Sequence, residues 1–347
     1  MTDRPPIVRA EPGSVSIRDV ALRAGVSVGT VSNVLNRPGK VSVPVAERVQ
    51  AAIAELGFVR NDAARRLRLG HSSSFGLIVL DASNPFFTDV ARGAEDEAAE
   101  HGYSMLLANS SESLEREATY LDLFESQRTR GVLISPVSSD STRLVALRSR
   151  GIPAVIVDRR LEDTRFSSVS VDDVAGGFAA VAHLLALGHR RVAFVGGPLG
   201  IGQVSDRLQG ARQAVAVHPD ARLEVIETPA LSVIEGRAAG LAVTARSPRE
   251  WPEAIFAAND LLAVGVLQAM NMTGESHVPR HVALVGYDDI AFASATVVPL
   301  TSVRQPSEAI GRTAVGLLLE ETEGAPGFEP RQVVFQPELV VRESSGG

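Results

Sequence analysis

The stretch that most restricts this chain is Ile17–Asn36, IRDVALRAGVSVGTVSNVLN. Ile17, Val20, Ala21 and Ala24 recur at helical spacing, which gives a short helix one apolar face. Ser16 stands just ahead as an N-cap, with Asp19 three residues on in a capping-box position. Gly25 follows where the chain needs a left-handed turn that glycine adopts at least cost. Ser27 then caps a second run that turns Val31, Val34 and Leu35 inward. A helix, a glycine turn and a second capped helix make a helix-turn-helix unit, the device that sets its second helix in a DNA major groove. The same pair also occurs as a plain core hairpin, and the local pattern leaves both readings open.

The flanks favour DNA. Ser42 opens a third helix with Pro44 in its first turn, where a missing N–H does no harm. Val45, Val49, Ala52, Ile53 and Leu56 form its apolar stripe and Gly57 ends it. Residues 1–70 hold eleven basic and six acidic residues (+5), while the remainder holds 23 and 35 (−12). A cationic headpiece on an anionic body is the asymmetry of a protein that touches phosphates at one end, although a solvated basic face gives a similar count. Residues 1–13 read as a flexible arm. In NDAARRLRL (Asn61–Leu69), Asn61 can cap, and Asp62 and Arg65, Arg66 and Arg68 suit the two ends of a helix dipole. So short a helix does not persist alone. It is either a frayed linker or a segment that folds on DNA with Leu67 wedged into the minor groove.

From Ser74 onward the pattern is alternating strands and helices. FGLIVLD, YSMLLAN, GVLIS, AVIVD and SVSVD form one set of short apolar runs, and VAFVGG, LEVIE, AIFAAND and VALVGYDD a second. Such runs suit buried parallel strands, and two successive sets predict two doubly wound α/β lobes. Ligands in these sheets sit beyond the C-terminal strand ends. Asp81, Asn84, Phe86 and Phe87 follow one such end, Asp158, Arg159 and Arg160 another, Asn259 and Asp260 a third, and Asp288 and Asp289 a fourth. Carboxylates and amides there can bond vicinal hydroxyls, with an aromatic face against a sugar ring or a base; each pair can also be a simple helix cap.

Several function classes fall away. There is no cysteine, hence no disulfide, zinc–thiolate site or cysteine nucleophile. There is no apolar run of about 18 residues to span a membrane. MTDRPPIVRAEPG has prolines and charges where a signal peptide would be apolar, so a cytoplasmic location is expected. Gly200, Gly202 and Ser205 approach a dinucleotide-binding glycine pattern, but the strand ends near Gly197 and Pro198 interrupts the turn. No acid–base pair, nucleophile elbow or metal-ligand cluster stands out, so neither an enzyme nor a cofactor is expected, and His183 and His189 read as structural. A solute-binding component of a transporter would fit the lobes but not the fused headpiece.

DVALRAGVSVGTVSNVLN, RVQAAIAELGFVRN, ARRLRLG, NPFF, DDVAGG, LGHRRVAFVGGP, FAANDLLAVG, VALVGYDDI, PLTSVRQP and PELVVRES occur in this order. In them the chain resembles the lactose-repressor (LacI/GalR) family of transcription factors from about Ser16 to Glu343. The resemblance implies a helix-turn-helix headpiece (14–60), a hinge helix and linker (61–73) and a core like that of periplasmic sugar-binding proteins (74–343), followed by a tail (344–347). It implies lobes that exchange strands, 74–171 with 307–334 and 172–306 with 335–343.

The resemblance also implies residue roles. Val28, Gly29 and Asn33 fall where the family reads base edges, and Ser16, Ser27, Thr30, Ser32 and Asn36 accompany them at the DNA. Asn61, Ala64, Leu67 and Arg68 match the hinge. Val28 can touch a thymine methyl, Gly29 reads nothing and Asn33 can pair with adenine, so direct readout is thin. Asp81, Asn84, Phe86, Asp158, Arg159, Asn259, Asp288 and Gln305 match effector contacts. Ser205 stands where many relatives carry a sugar-binding arginine, Gln203 can substitute in part, and Arg207 matches a second, structural arginine. The expectation is a repressor released from a pseudo-palindromic operator by a sugar or sugar derivative; a corepressor-type response to a nucleobase-like ligand is the alternative. Without a C-terminal leucine heptad the expected assembly is a homodimer.

Overall fold

The computed structural model describes residues 15–36, 38–58, 72–160, 163–272, 277–324 and 327–346. The expected arm and the hinge residues Asn61, Ala64, Leu67 and Arg68 lie outside them. The chain divides into two compact units, Met1–Gly70 and His71–Gly347.

In the first unit α1 (Ile17–Ala24), α2 (Val28–Asn36) and α3 (Val43–Leu56) surround one small core. Val20, Ala21, Ala24, Val31, Val34, Val49 and Ala52 fill it, with Leu35, Ile53 and Leu56 at its margin. Asp19 Oδ2 accepts from both the backbone N–H and the hydroxyl of Ser16, at 2.8 and 2.7 Å. Gly25 takes φ 66°, the left-handed turn between the first two helices. Ser27 Oγ accepts from Thr30 N at 3.1 Å and so begins α2. Arg23 reaches Glu55 of α3, a pair about half exposed and of small energetic weight.

The second unit holds two six-stranded sheets. In the first, β1 (Ser74–Val79), β2 (Ser104–Asn109), β3 (Val132–Ile134), β4 (Ala154–Val157), β5 (Ser167–Val171) and β11 (Gln332–Phe335) run in the order β11-β5-β4-β3-β1-β2, all parallel. In the second, β6 (Arg191–Val195), β7 (Arg222–Ile226), β8 (Ala254–Ala257), β9 (Ala283–Asp288), β10 (Thr301–Arg304) and β12 (Glu338–Val340) run in the order β12-β10-β9-β8-β6-β7, with β12 antiparallel. Central strands are apolar because helices cover both sheet faces: Leu77 pairs with Leu133, and Phe194 with Phe256, all fully buried. The flanking helices are α4 (Pro85–Glu100), α5 (Leu114–Ser126), α6 (Thr142–Ser149), α7 (Asp173–Ala186), α8 (Gly202–Ala216), α9 (Val233–Thr244), α10 (Asp260–Met272) and α11 (Ser307–Thr322).

The chain passes from one lobe to the other after β5, after β10 and between β11 and β12. Phe335, assigned to the second lobe from the sequence, pairs with Val171 in the first sheet. The expected tail needs a larger correction. Ser344 and Ser345 are buried: Ser344 Oγ donates to Leu284 O at 2.6 Å, and Ser345 Oγ lies 2.9 Å from His183 Nε2. Two small hydroxyls saturate buried backbone and side-chain groups there, which a run of SSGG does not announce.

Helices α7 and α8 touch backbone to backbone. A Cβ on Gly177 would overlap the carbonyl oxygen of Arg207, and one on Gly210 that of Val174. This reciprocal glycine contact fixes the height of α8 and, with it, the Arg207 side chain.

Candidate functional site

The C-terminal ends of both sheets face one narrow cleft. The first lobe lines it with Asp81, Asn84, Phe86, Phe87, Glu112 and Asp158, the second with Gln203, Arg207, Asn259 and Asp288 among others.

Among the described residues, two pairs of side chains are hydrogen-bonded across the cleft. Asn84 caps α4 through Oδ1, accepting from Phe86 N at 3.0 Å, and its Nδ2 donates to Asp288 Oδ2 at 3.1 Å. Gln203 Nε2, from the first turn of α8, donates to the carbonyl and to Oδ2 of Asp158, at 2.7 and 2.8 Å. Gln305 Nε2 donates to Asp288 Oδ1 at 2.8 Å, leaving its own Oε1 buried without a partner. Asp158 Oδ1 is likewise buried and unpartnered. Asp158 and Asp288 hold φ 61° and 102°, unusual for aspartate; such backbone strain gathers where side chains must be aimed.

Beneath these groups lies Arg207. Its Nε donates to Asp173 Oδ1 at 2.8 Å and its Nη1 to Ala258 O at 2.8 Å, with Asp288 Oδ1 at 3.7 Å. The guanidinium carbon sits 3.7 Å from the Tyr287 ring centroid. Burial opposes the arginine's charge, but Asp173, Tyr287, Asp288 and Asp158 outweigh it and keep the group cationic. Burial pushes Asp158 up to about 8, with Asp173 adding to it and Arg207 and Gln203 offsetting part. Burial also raises Asp173 and Asp288 against the pull of Arg207. Glu112 is raised by burial and by Asp81 beside it.

The strand-end pairs divide their labour. Asp158 and Asp288 face the cleft. Asp260 turns away to accept from Ile290 N and Ser302 Oγ, at 2.9 and 2.7 Å, and Asp289 binds Arg304 and Arg342. Asn259 lines the cleft but spends its oxygen on Leu262 N and its amide on Leu231 O. Asp81 accepts from Ser83 at the rim. Arg159 lies in an adjoining depression with Pro136, Pro198, Gly200 and Gly202.

Ser205 is exposed and lines neither space, although the sequence placed it among the effector contacts. The reason is helical geometry: Gln203, Val204, Arg207 and Leu208 share the buried face of α8, and Ser205 lies well round from it. Glu112 and the Asp173–Arg207 pair are the functional candidates that the strand-end reading passed over. Glu112 follows the end of β2 by three residues, so the rule that found Asp81 could have found it too.

In the headpiece, Ser16, Ser27, Val28, Gly29 and Asn33 are exposed, and Thr30 and Ser32 are half-buried. Ser27, Val28, Gly29 and Asn33 thus present one face of the N-terminal part of α2 to solvent, and Asn36 is its last residue. That is the part of a recognition helix that contacts bases.

Among the described residues no helix is long and apolar enough to cross a membrane. Residues 16–61 match the family described as bacterial regulatory proteins, lacI family, and residues 181–345 match a periplasmic binding protein-like domain. The ribose operon repressor of Halalkalibacterium halodurans is 33% identical over 96% of this chain and 97% of its own. The HTH-type transcriptional repressor PurR of Photobacterium profundum is 30% identical over 95% and 98%. The solved lac repressor dimer, bound to operator and the anti-inducer ONPF, superposes with a TM-score of 0.81 at 26% identity, covering 96% of this chain and 99% of that one. With the helix-turn-helix, the paired sheets and the full-length match together, the chain belongs to the LacI family of bacterial regulatory proteins.

Proposed function

We propose that this protein is a transcriptional repressor that binds a pseudo-palindromic operator as a homodimer and leaves it when a small polyhydroxylated molecule enters the cleft. Two-fold protein symmetry imposes two-fold sites. The observation that carries the effector half is the pair of cross-cleft contacts, Gln203–Asp158 and Asn84–Asp288. A ligand bonded to both carboxylates touches both lobes, so its binding energy depends on their relative position. Movement of the first lobes in the dimer would then alter the spacing at which hinge segments fold on DNA. A coupling of about 1–3 kcal/mol already changes operator affinity about 5–150-fold. The exposed face at the N-terminus of α2 supports the DNA half, with Asn33 as its base-reading group and Ser27, Thr30 and Ser32 toward phosphates.

The test uses the full chain. Selection from random duplexes should return paired half-sites, and a thermal-shift panel of pentoses, hexoses and purine bases should return compounds that change operator affinity. Binding of all duplexes alike, falling with salt, would refute the DNA half. Ligands that bind the cleft without altering operator affinity would refute the coupling.

A further inference from the structure

The lining of the cleft has an electrostatic bias that a neutral sugar does not use. Asp81, Glu112, Asp158 and Asp288 line it, and Arg207 is the one basic residue among them. That guanidinium is already matched by Asp173 and Ala258 O. The lining amides each spend at least one N–H on the protein: Asn84 on Asp288, Gln203 on Asp158 and Asn259 on Leu231 O, with Gln305 behind them also on Asp288. Two buried oxygens are left without a partner. Asp158, 4% exposed, has an unpartnered buried Oδ1, and Gln305, 3% exposed, an unpartnered Oε1. Among the described residues of this lining the carboxyls outnumber the cations four to one, which disfavours an anionic ligand there, and Arg159 stands outside it in the adjoining depression that shares Glu112 and Gln203.

We propose that the effector is a polyhydroxylated primary amine, an amino sugar or amino polyol, whose ammonium is taken by Asp158 in a field reinforced by Asp81 and Glu112, while its hydroxyls engage Asp288. This rests on the effector cleft proposed above and names the ligand class it takes. An ammonium supplies three donors and the missing positive charge together, and charge-assisted bonds are the stronger kind. A proton readout follows. Asp158, pushed up to about 8 by burial and by Asp173 and Asp288 against Arg207 and Gln203, carries its proton near neutrality; an ammonium beside it favours the carboxylate and expels that proton.

The experiment is titration calorimetry on the full chain at pH 7 with D-glucosamine, D-galactosamine and D-glucamine. Each is matched to D-glucose, D-galactose or D-sorbitol, with D-ribose and D-glucose 6-phosphate as further probes. At least one amine should bind about tenfold or more tighter than its neutral match, a difference of roughly 1.4 kcal/mol. Its heat should vary with buffer ionisation enthalpy as proton release requires. Asp158→Asn, nearly isosteric, should erase the preference while operator binding shows that the variant is folded. Equal or tighter binding of a neutral sugar, tighter binding of the phosphate ester, or no binding of any amine would overturn the amine proposal. A neutral sugar that binds and shifts operator affinity overturns only the ligand class, leaving the effector cleft intact; binding without operator response defeats the regulatory reading instead.

Discussion

Arg207→Leu isolates the energetic centre of the cleft. In the native protein the guanidinium is 5% exposed and holds Asp173 at 2.8 Å, Ala258 O at 2.8 Å and Asp288 at 3.7 Å. Leucine keeps much of the apolar stem's packing and removes all three polar contacts. Breaking one partner out of a buried ion pair costs about 3–5 kcal/mol, chiefly because the other charge stays buried alone. At about 2–4 °C per kcal/mol for domains of 150–250 residues, the melting point of the two-lobed unit should fall by roughly 6–20 °C. The loss should depend on pH with a definite sign. Asp173 and Asp288 already lie above their ordinary values in the folded protein, and losing the cation raises them further. A carboxyl raised on folding costs stability as pH climbs from its unfolded value through its folded one. Arg207→Leu should therefore be mild near pH 5, where the orphaned groups can stay protonated, and severe near pH 8. Asp173→Asn in the same chain should recover part of the loss. Urea unfolding of the four proteins of this cycle at both pH values supplies the measurement. A loss under about 1 kcal/mol, no growth with pH, or strict additivity with Asp173→Asn would refute the assignment of Arg207 as the counter-charge.

Gly177→Ala places a methyl against the Arg207 carbonyl oxygen, and overpacking of this kind costs typically about 1–3 kcal/mol, so a lowered urea midpoint with an unchanged slope is expected. Asp288→Asn should abolish the effector response and spare operator binding, measured as operator affinity with and without the best ligand of the panel. Ser205→Arg should leave the ligand profile unchanged in calorimetry, because residue 205 points to solvent. Asn33→Ala should weaken operator binding by about 1–3 kcal/mol and relax preference at one base pair per half-site, read from selected sequences.

The headpiece was legible because each local signal agrees with the next: Ser16 begins a helix, Gly25 turns it, Ser27 begins another, and Val20, Val31 and Val49 meet in one core. The central strands were legible as apolar runs such as FGLIV and AIFA, bounded by polar ends. Strands β11 and β12 carry little such signal, being three or four residues long, partly exposed and at sheet edges. Their places emerge only from partners far away, Val333 opposite Val169 and Leu339 opposite Val303. Strand-end logic located Asp158 and Asp288 but could not tell them from Asp260 and Asp289, since adjacent residues divide between cleft and scaffold by backbone direction alone. Ser205 shows the opposite fault. A position inferred from resemblance was at odds with the period of its own helix, in which Gln203 and Arg207, four apart, share a face and Ser205 does not.

The same contacts that shape the cleft bear on the direction of regulation. Gln203 and Asn84 join the lobes through Asp158 and Asp288, the very carboxylates a ligand would use. Ligand binding is therefore an exchange of bonds across the cleft rather than a simple addition. A hydrogen bond to a charged group contributes about 1.5–3 kcal/mol, and one between neutral partners about 0.5–1.5. The two bridges together thus hold the lobes with an energy of the same order as the roughly 1–3 kcal/mol of a working allosteric coupling. A ligand that replaces both bridges with bonds of its own in the same lobe geometry changes the balance little, however tightly it binds. One that takes the carboxylates at a different separation shifts the lobes by the difference between the two sets of bonds. The effector releases the operator, on this reading, because its own length satisfies a different lobe separation, and Gln203 and Asn84 set the separation against which that length competes.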